Sequence, residues 1–110
     1  MEEFVKGDVV VLPFPFSDLT QSKKRPALVA AKLKGDDIIL CQITSETRAD
    51  GYSIVLATKD FKQGSLNLTS MIRPNKLFTA DKSLVLYKIG SLKEDKISEV
   101  EKAIIDVFKK

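Results

Sequence analysis

Hydrophobic positions in this chain come in short runs that are separated by turn-forming residues. The first run, at residues 9–12, is apolar throughout, which is typical of a buried strand. Pro13 and Pro15 are expected to end it, and Pro74 to interrupt a later strand. A short helical turn is expected at 57–63. The predicted strands cover residues 9–12, 26–33, 38–43, 52–56, 66–73 and 83–89.

The last twenty residues have a different periodicity. Ser91 and Glu94 match a capping box, which predicts a helix start. Apolar residues then recur at helical spacing between lysines and acids, at Ile97, Val100, Ile104 and Val107/Phe108. The chain is therefore predicted to be mainly β: a small SH3-like barrel of five to six strands with a C-terminal amphipathic helix.

Size and composition narrow the possible classes. The 110 residues favour one domain, spanning 1–110, and the net charge of +3 permits a polyanionic partner. No apolar run approaches the roughly 20 residues of a membrane span, and the acidic N-terminus does not resemble a signal peptide. Cys41 is the single cysteine, so no internal disulfide is possible. We therefore expect a cytoplasmic protein.

Histidine is absent from the sequence. This excludes Ser-His and Cys-His nucleophile pairs and histidine general bases, and it argues against a zinc site. Any chemistry must use Arg, Lys, Asp, Glu, Ser, Thr or Tyr. No metal or other cofactor is expected.

Arg25 is the first candidate functional residue. It follows Lys23 and Lys24 and precedes Pro26, which favours an extended conformation at Arg25. A guanidinium held in this way suits a phosphate group. The alternative is an exposed cation at the start of a strand, with Pro26 as the first strand residue.

Thr44 and Ser45 end the third predicted strand, and Glu46 follows. A hydroxyl at a strand end can hydrogen-bond a phosphate oxygen. The alternative is ordinary turn chemistry, in which the hydroxyls bond the nearby backbone.

Two further features have a functional and a structural interpretation. Arg73 is either a phosphate ligand or half of a structural ion pair. Phe14 and Phe16, close to the lysines at 23 and 24, either stack on the bases of a single-stranded nucleic acid or fold onto the barrel or a dimer partner. Burial is favoured for at least one of them.

Four segments in this order resemble the MazF/PemK family of toxins from toxin–antitoxin pairs. They are Gly-Asp-Val-Val at 7–10, Lys-Arg-Pro-Ala-Leu-Val at 24–29, Gln-Ile-Thr-Ser at 42–45, and Ile-Arg at 72–73 with Thr-Ala-Asp-Lys at 79–82. The chain differs from the family in the tract 16–22 and in extra residues at 74–78.

The resemblance implies an SH3-like barrel, a homodimer and a metal-independent endoribonuclease that is inhibited by a cognate antitoxin. Such enzymes cut single-stranded RNA, including mRNA, and leave a 2′,3′-cyclic phosphate and a 5′-hydroxyl. The family's catalytic arginine and threonine fall on Arg25 and Thr44. The expected RNA contacts are Lys23, Lys24, Ser45, Arg73 and Phe16.

Two other classes of function stay open at this point. The same barrel occurs in the gyrase-poisoning toxin CcdB, and SH3-like domains also bind peptides, so a pure protein-binding module is one alternative. A relative that binds RNA without cutting it is another. The pair Arg25 and Thr44 favours the nuclease, because a protein-binding module has no need of it.

Overall fold

The computed structural model describes residues 3–14, 23–47 and 49–110. Within these ranges seven strands form one antiparallel sheet, in the spatial order β4-β6-β3-β2-β1-β7-β5. The strands are β1 Asp8–Phe14, β2 Lys23–Lys32, β3 Asp37–Thr44, β4 Ile54–Leu56, β5 Phe61–Gly64, β6 Ser70–Asp81 and β7 Tyr87–Leu92. Two 3₁₀ turns, Thr58–Asp60 and Lys82–Leu84, precede β5 and β7, and helix α1 is Glu94–Phe108.

Both faces of the curled sheet are covered, which explains why its central strands are continuously apolar. Alternate residues of each strand enter two clusters, with Val9 in one and Val10 in the other. The helix-side cluster is Val9, Leu28, Cys41, Ile43, Leu56, Phe61, Ile72, Leu92 and Val100. The opposite cluster is Phe4, Val10, Leu12, Phe14, Ala27, Val29, Ile38 and Leu40. The predicted mainly-β fold with a C-terminal helix is confirmed.

The described chain has seven strands rather than the predicted five to six. The additional strand is β5, at 61–64, where the sequence had indicated the end of a helical turn. That turn is shorter than predicted and consists only of Thr58–Asp60. Gly64 then permits β5 to lie against Gly90 of β7, since each glycine leaves room for the other strand's backbone.

Pro13 does not end β1 as predicted, and Pro15 lies outside the described residues. β1 continues through Pro13 to Phe14, which lies opposite Lys23. β2 accordingly begins at Lys23, so Pro26 is its fourth residue and not its first. Pairing with β3 begins only at Ala27, so Pro26 lies where β2 has a described neighbour on one side, and its missing N–H is tolerated.

Pro74 lies inside β6, where the sequence had predicted an interruption. Cys41 of β3 lies opposite Leu77, but the next residue, Gln42, lies opposite Arg73. Residues 74–76 are therefore extra on the β6 side and form a bulge. The bulge accommodates the proline without ending the strand.

Helix α1 begins later than the predicted capping box. Ser91 belongs to β7 and pairs with Asp8 and Gln63, so the sheet already holds its backbone. The residue before the helix is Lys93, which makes no side-chain cap. The amphipathic character is confirmed, because Val100 is buried and Ile97 and Ile104 pack on the helix-side cluster. No helix in the described part of the chain is long and apolar enough to cross a membrane.

Candidate active site

A depression of about 320 Å³ opens where β2 begins and β3 ends, and we call it the Arg25 groove. It contains both predicted catalytic side chains, one on each strand. Its lining residues are Lys24, Arg25, Pro26, Ile43, Thr44, Ser45, Leu66, Asn67, Leu68 and Ser70. The groove thus combines two cations with three hydroxyl side chains.

The register of the sheet explains why Arg25 and Thr44 line the same groove. Ala27 lies opposite Gln42, and two further residues along each antiparallel strand bring Arg25 level with Thr44. Arg25 also lies opposite Leu12 of β1 and is partly buried. Its guanidinium is therefore attached to a strand of the sheet and not to a loose loop.

Thr44 is 6% exposed, and its hydroxyl has a defined orientation. Its Oγ1 accepts a hydrogen bond of 3.1 Å from the backbone N–H of Glu46. This is the turn contact that the structural interpretation of Thr44 anticipated. It engages the oxygen as an acceptor, and the hydroxyl proton is left to be donated in another direction.

Ser70 is a buried member of the groove that the sequence analysis did not select. It is the first residue of β6, and its Oγ donates a 3.0 Å hydrogen bond to the carbonyl of Leu68. The signal in the sequence was an interruption by Ser70 of the alternation of apolar residues 66, 68 and 72. Thr44 lies opposite Met71, the residue after Ser70, and only this position gives the interruption a meaning.

Arg73 does not line the Arg25 groove, although it lies on the neighbouring strand β6. Its side chain is 10% exposed, and its Nη2 lies 3.6 Å from Oδ2 of Asp50. Within the described chain its Nε has no hydrogen-bond partner. The structural ion pair anticipated for Arg73 is therefore present, with Asp50 as its acid.

Asp50 is itself fixed within the loop between β3 and β4. Its Oδ1 accepts hydrogen bonds from the N–H groups of Ser53, at 2.9 Å, and Tyr52, at 3.0 Å. These backbone bonds, with a smaller contribution from the charge of Arg73, lower the pKa of the carboxyl group from 3.8 to about 2. Arg73 thus connects β6 to the loop that follows Thr44.

The remaining predicted RNA contacts are distributed around the groove. Lys24 and Ser45 are exposed and line it, and Lys23 is exposed at the start of β2 without lining it. Phe16 lies outside the described residues. The expectation that at least one aromatic is buried is confirmed by Phe14, which is 4% exposed and packs edge to face against Phe78 at 4.8 Å.

A cysteine nucleophile and a metal site would be the alternatives to the Arg25 groove. Burial raises the pKa of the Cys41 thiol to about 12, so it is a core residue and not a nucleophile. Among residues 3–14, 23–47 and 49–110, no group of three or more Cys, Asp and Glu side chains is arranged to hold a metal ion.

The comparison that decides the family is one of sequence. The family described as PemK-like, MazF-like toxin of type II toxin–antitoxin system matches residues 5–108. The chain belongs to this family. A search of curated proteins found no match.

Solved structures of family members share this fold. An endoribonuclease in complex with its cognate antitoxin, from a mycobacterial species, superimposes with a TM-score of 0.78 at 13% identity, over 97% of this chain and 96% of that one. MazF from Deinococcus radiodurans gives 0.76 at 19% identity, with 100% of both chains covered. A MazE–MazF complex from the same organism gives 0.75 at 18% identity, with 96% of each chain covered.

Proposed function

We propose that this MazF/PemK-family toxin is an endoribonuclease that cuts single-stranded RNA, including mRNA, without a metal ion. The observation that supports it is that Arg25 and Thr44 line one groove at adjacent strand ends. Family membership and the relative described as an endoribonuclease point to the same activity. A pure protein-binding module has no need of a cation and a hydroxyl brought together in this way.

The reaction proposed is an in-line attack of a ribose 2′-oxygen on the adjacent phosphorus atom. The 2′-hydroxyl loses its proton to water as the new P–O bond forms, the bond from phosphorus to the 5′-oxygen breaks, and the 5′-oxygen takes up a proton from water. The products are a 2′,3′-cyclic phosphate and a 5′-hydroxyl. Negative charge increases on the non-bridging oxygens along this path, so positioned donors accelerate it without a metal.

Arg25 and Thr44 have complementary roles in this proposal. The Arg25 guanidinium neutralises the charge that develops on the phosphorus oxygens. The Thr44 hydroxyl donates a hydrogen bond to one of those oxygens. Its own oxygen already accepts a hydrogen bond from the backbone N–H of Glu46, which leaves the O–H group to act as the donor. Ser70 lies in the same groove and adds a third hydroxyl to its lining.

The RNA on either side of the reacting phosphate needs further contacts with the protein. Lys23, Lys24 and Ser45 are exposed and are proposed to bind it, and Phe16 is proposed to stack on a base. Arg73 stays a proposed RNA contact. Its ion pair with Asp50 favours a supporting role in holding the loop after β3 beneath the RNA.

Two protein partners are part of the proposal. A cognate antitoxin is proposed to inhibit the enzyme by covering its RNA groove, as toxin–antitoxin pairing and the relatives solved with antitoxins suggest. A homodimer is also proposed. Ile105 and Phe108 of α1 support it, being 49% and 75% exposed beside an apolar groove of about 240 Å³. The proposed compartment is the cytoplasm, where the substrate RNA is found.

The decisive experiment is RNA cleavage in excess EDTA. Wild-type protein should cut single-stranded RNA and leave cyclic phosphate and 5′-hydroxyl ends. Arg25→Ala should lose at least about 100-fold in rate, the usual effect of removing a donor from a developing oxyanion. The matched control is Lys34→Ala, which removes one exposed positive charge from the β2–β3 turn. Cleavage that requires a metal ion and survives Arg25→Ala would refute the assignment.

A further inference from the structure

A second depression lies on the same face of the sheet as Arg25 and Thr44, and we call it the Gln42 pocket. Its volume is about 330 Å³. Its lining residues are Pro13, Phe14, Gln42, Lys76, Leu77, Phe78, Thr79 and Leu84. Nothing in the reaction described above uses it, although it is larger than a single side chain and open to solvent.

Gln42 connects this pocket to the Arg25 groove. It lies in β3 two residues before Thr44, and side chains two residues apart on a strand share one face at a spacing of about 6.6 Å. It also lies opposite Ala27 of β2 and Arg73 of β6, in the centre of the sheet. An extended polymer bound over Thr44 would therefore reach the pocket with the unit next to the one that reacts.

The walls of the pocket combine apolar and polar groups in the way that a nucleobase requires. Phe14 and Phe78 supply an aromatic wall held by their edge-to-face contact at 4.8 Å. Gln42 is partly buried and lines the pocket, where its amide carries both hydrogen-bond donors and an acceptor. Unpaired bases are recognised by stacking on such surfaces and by hydrogen bonds along their edges.

Lys76 adds a cation, and the bulge in β6 brings it there. Residues 74–76 are extra in the pairing of β6 with β3. Lys76 is the last of the three, and pairing with β3 continues at Leu77. Lys76 is exposed and lines the pocket. A positive charge beside an aromatic pocket suits the phosphate that accompanies a base.

We propose that the Gln42 pocket binds one nucleobase of the RNA next to the scissile phosphate, and thereby sets a sequence preference at that position. The base stacks against Phe78, its hydrogen-bonding edge faces the Gln42 amide, and Lys76 contacts the phosphate on its far side. This inference rests on the proposed ribonuclease function. It assigns specificity to a segment in which the chain differs from its family.

The test uses a set of RNA oligonucleotides of one sequence, each with a single abasic nucleotide at a different position. For the wild-type protein, one position adjacent to the cleavage site should raise KM about 10-fold, within the range for loss of one stacked base. In Phe78→Leu and Gln42→Glu, which alter the stacking wall and the hydrogen-bonding amide of the pocket, that effect should shrink below threefold. Lys102→Ala is the charge-matched control, since it removes an exposed lysine on α1, and it should retain the full effect.

The outcomes separate this inference from the proposed function. If the wild-type protein cuts RNA but shows no position-dependent abasic effect, or if both variants keep it, the pocket is not a base site and the nuclease assignment stands. If the wild-type protein cuts no RNA, the nuclease assignment fails. Anisotropy binding of the same oligonucleotides then decides whether the pocket holds a base. Phe78 is only partly buried and leucine keeps an apolar side chain there, so Phe78→Leu tests the pocket even if Gln42→Glu fails to fold.

Discussion

Thr44→Val separates the hydrogen bond that the Thr44 hydroxyl makes in the structure from the catalytic role proposed for it. Valine has almost the same shape as threonine but lacks the oxygen. In the folded protein the substitution removes one hydrogen bond, the 3.1 Å contact from the Glu46 N–H to Oγ1. Because Thr44 is 6% exposed, the orphaned N–H is partly shielded and the expected loss in the free energy of unfolding is about 1 kcal/mol.

The effect on the reaction should be much larger. A domain with a stability of about 5 kcal/mol or more stays almost entirely folded after that loss, so unfolding cannot account for a large drop in rate. A hydroxyl that donates to a developing oxyanion contributes about 100- to 1,000-fold in kcat, or roughly 2.7–4 kcal/mol. Thr44→Ser retains the oxygen and its proton and should keep most of the activity.

The assay is single-turnover cleavage of a labelled RNA in EDTA, with urea unfolding of each variant measured in parallel. We expect Thr44→Val to unfold at slightly lower urea concentration than the wild type and to cut at least 100 times more slowly. A Thr44→Val protein that cuts within threefold of the wild-type rate would show that the hydroxyl serves only the turn. The reasoning from groove geometry to chemistry would then be wrong.

Two further predictions concern the framework around the site. Gly64→Ala should lower the free energy of unfolding by about 2–5 kcal/mol, because the left-handed φ of Gly64 and the nearby Ile89 carbonyl are both unfavourable for a side chain. Gly35 has a similar φ but open space around it, so Gly35→Ala should lower the free energy of unfolding by only about 1–2 kcal/mol. The carboxylate of Asp50 should stabilise the fold above pH 4, and that contribution should disappear as the pH falls from about 4 to about 2, because its pKa is lowered from 3.8 to about 2. Asp50→Asn should lose this part of the acid dependence in urea unfolding measured across that range.

The outcomes that would contradict these two predictions are specific. Equal destabilisation by the two glycine substitutions would mean that the close approach of β5 and β7 is unimportant for stability. An unchanged slope of stability against pH in Asp50→Asn, between pH 4 and 2, would mean that the bonds from Ser53 and Tyr52 do not hold the carboxylate in its charged form.

The elements that the sequence predicted well are those whose cause is local. The continuous apolar run at 9–12 predicted β1, because a strand buried on both faces is apolar at every position. The helical spacing of Ile97, Val100 and Ile104 predicted α1, because a helix buried along one stripe repeats its apolar residues with that spacing. The boundaries were less predictable. Pro13 and Pro74 were expected to end strands, and only the pairing partners show that each lies where a missing N–H is tolerated.

The candidate site shows the same division. Arg25 and Thr44 could be selected from residue type and strand-end position, and the family resemblance agreed. The partner of Arg73 could not be predicted, because Asp50 is 23 positions away and reaches it only when the β3–β4 loop folds over β6. Ser70 and Gln42 were overlooked for a similar reason, since a single polar residue in a strand acquires meaning only from what lies across the sheet.

The sequence by itself therefore determined the class of fold, the absence of histidine chemistry and the two residues proposed to carry the reaction. The fold class and the exclusion of histidine chemistry follow from residue identity and local periodicity, whereas the roles of Arg25 and Thr44 follow from the family resemblance. The tertiary structure alone decided the register of β2 on β3, which brings Arg25 level with Thr44, and the shift of β6 on β3, which places Lys76 beside Gln42. Register depends on the simultaneous pairing of residues far apart in the chain, and no local pattern specifies it.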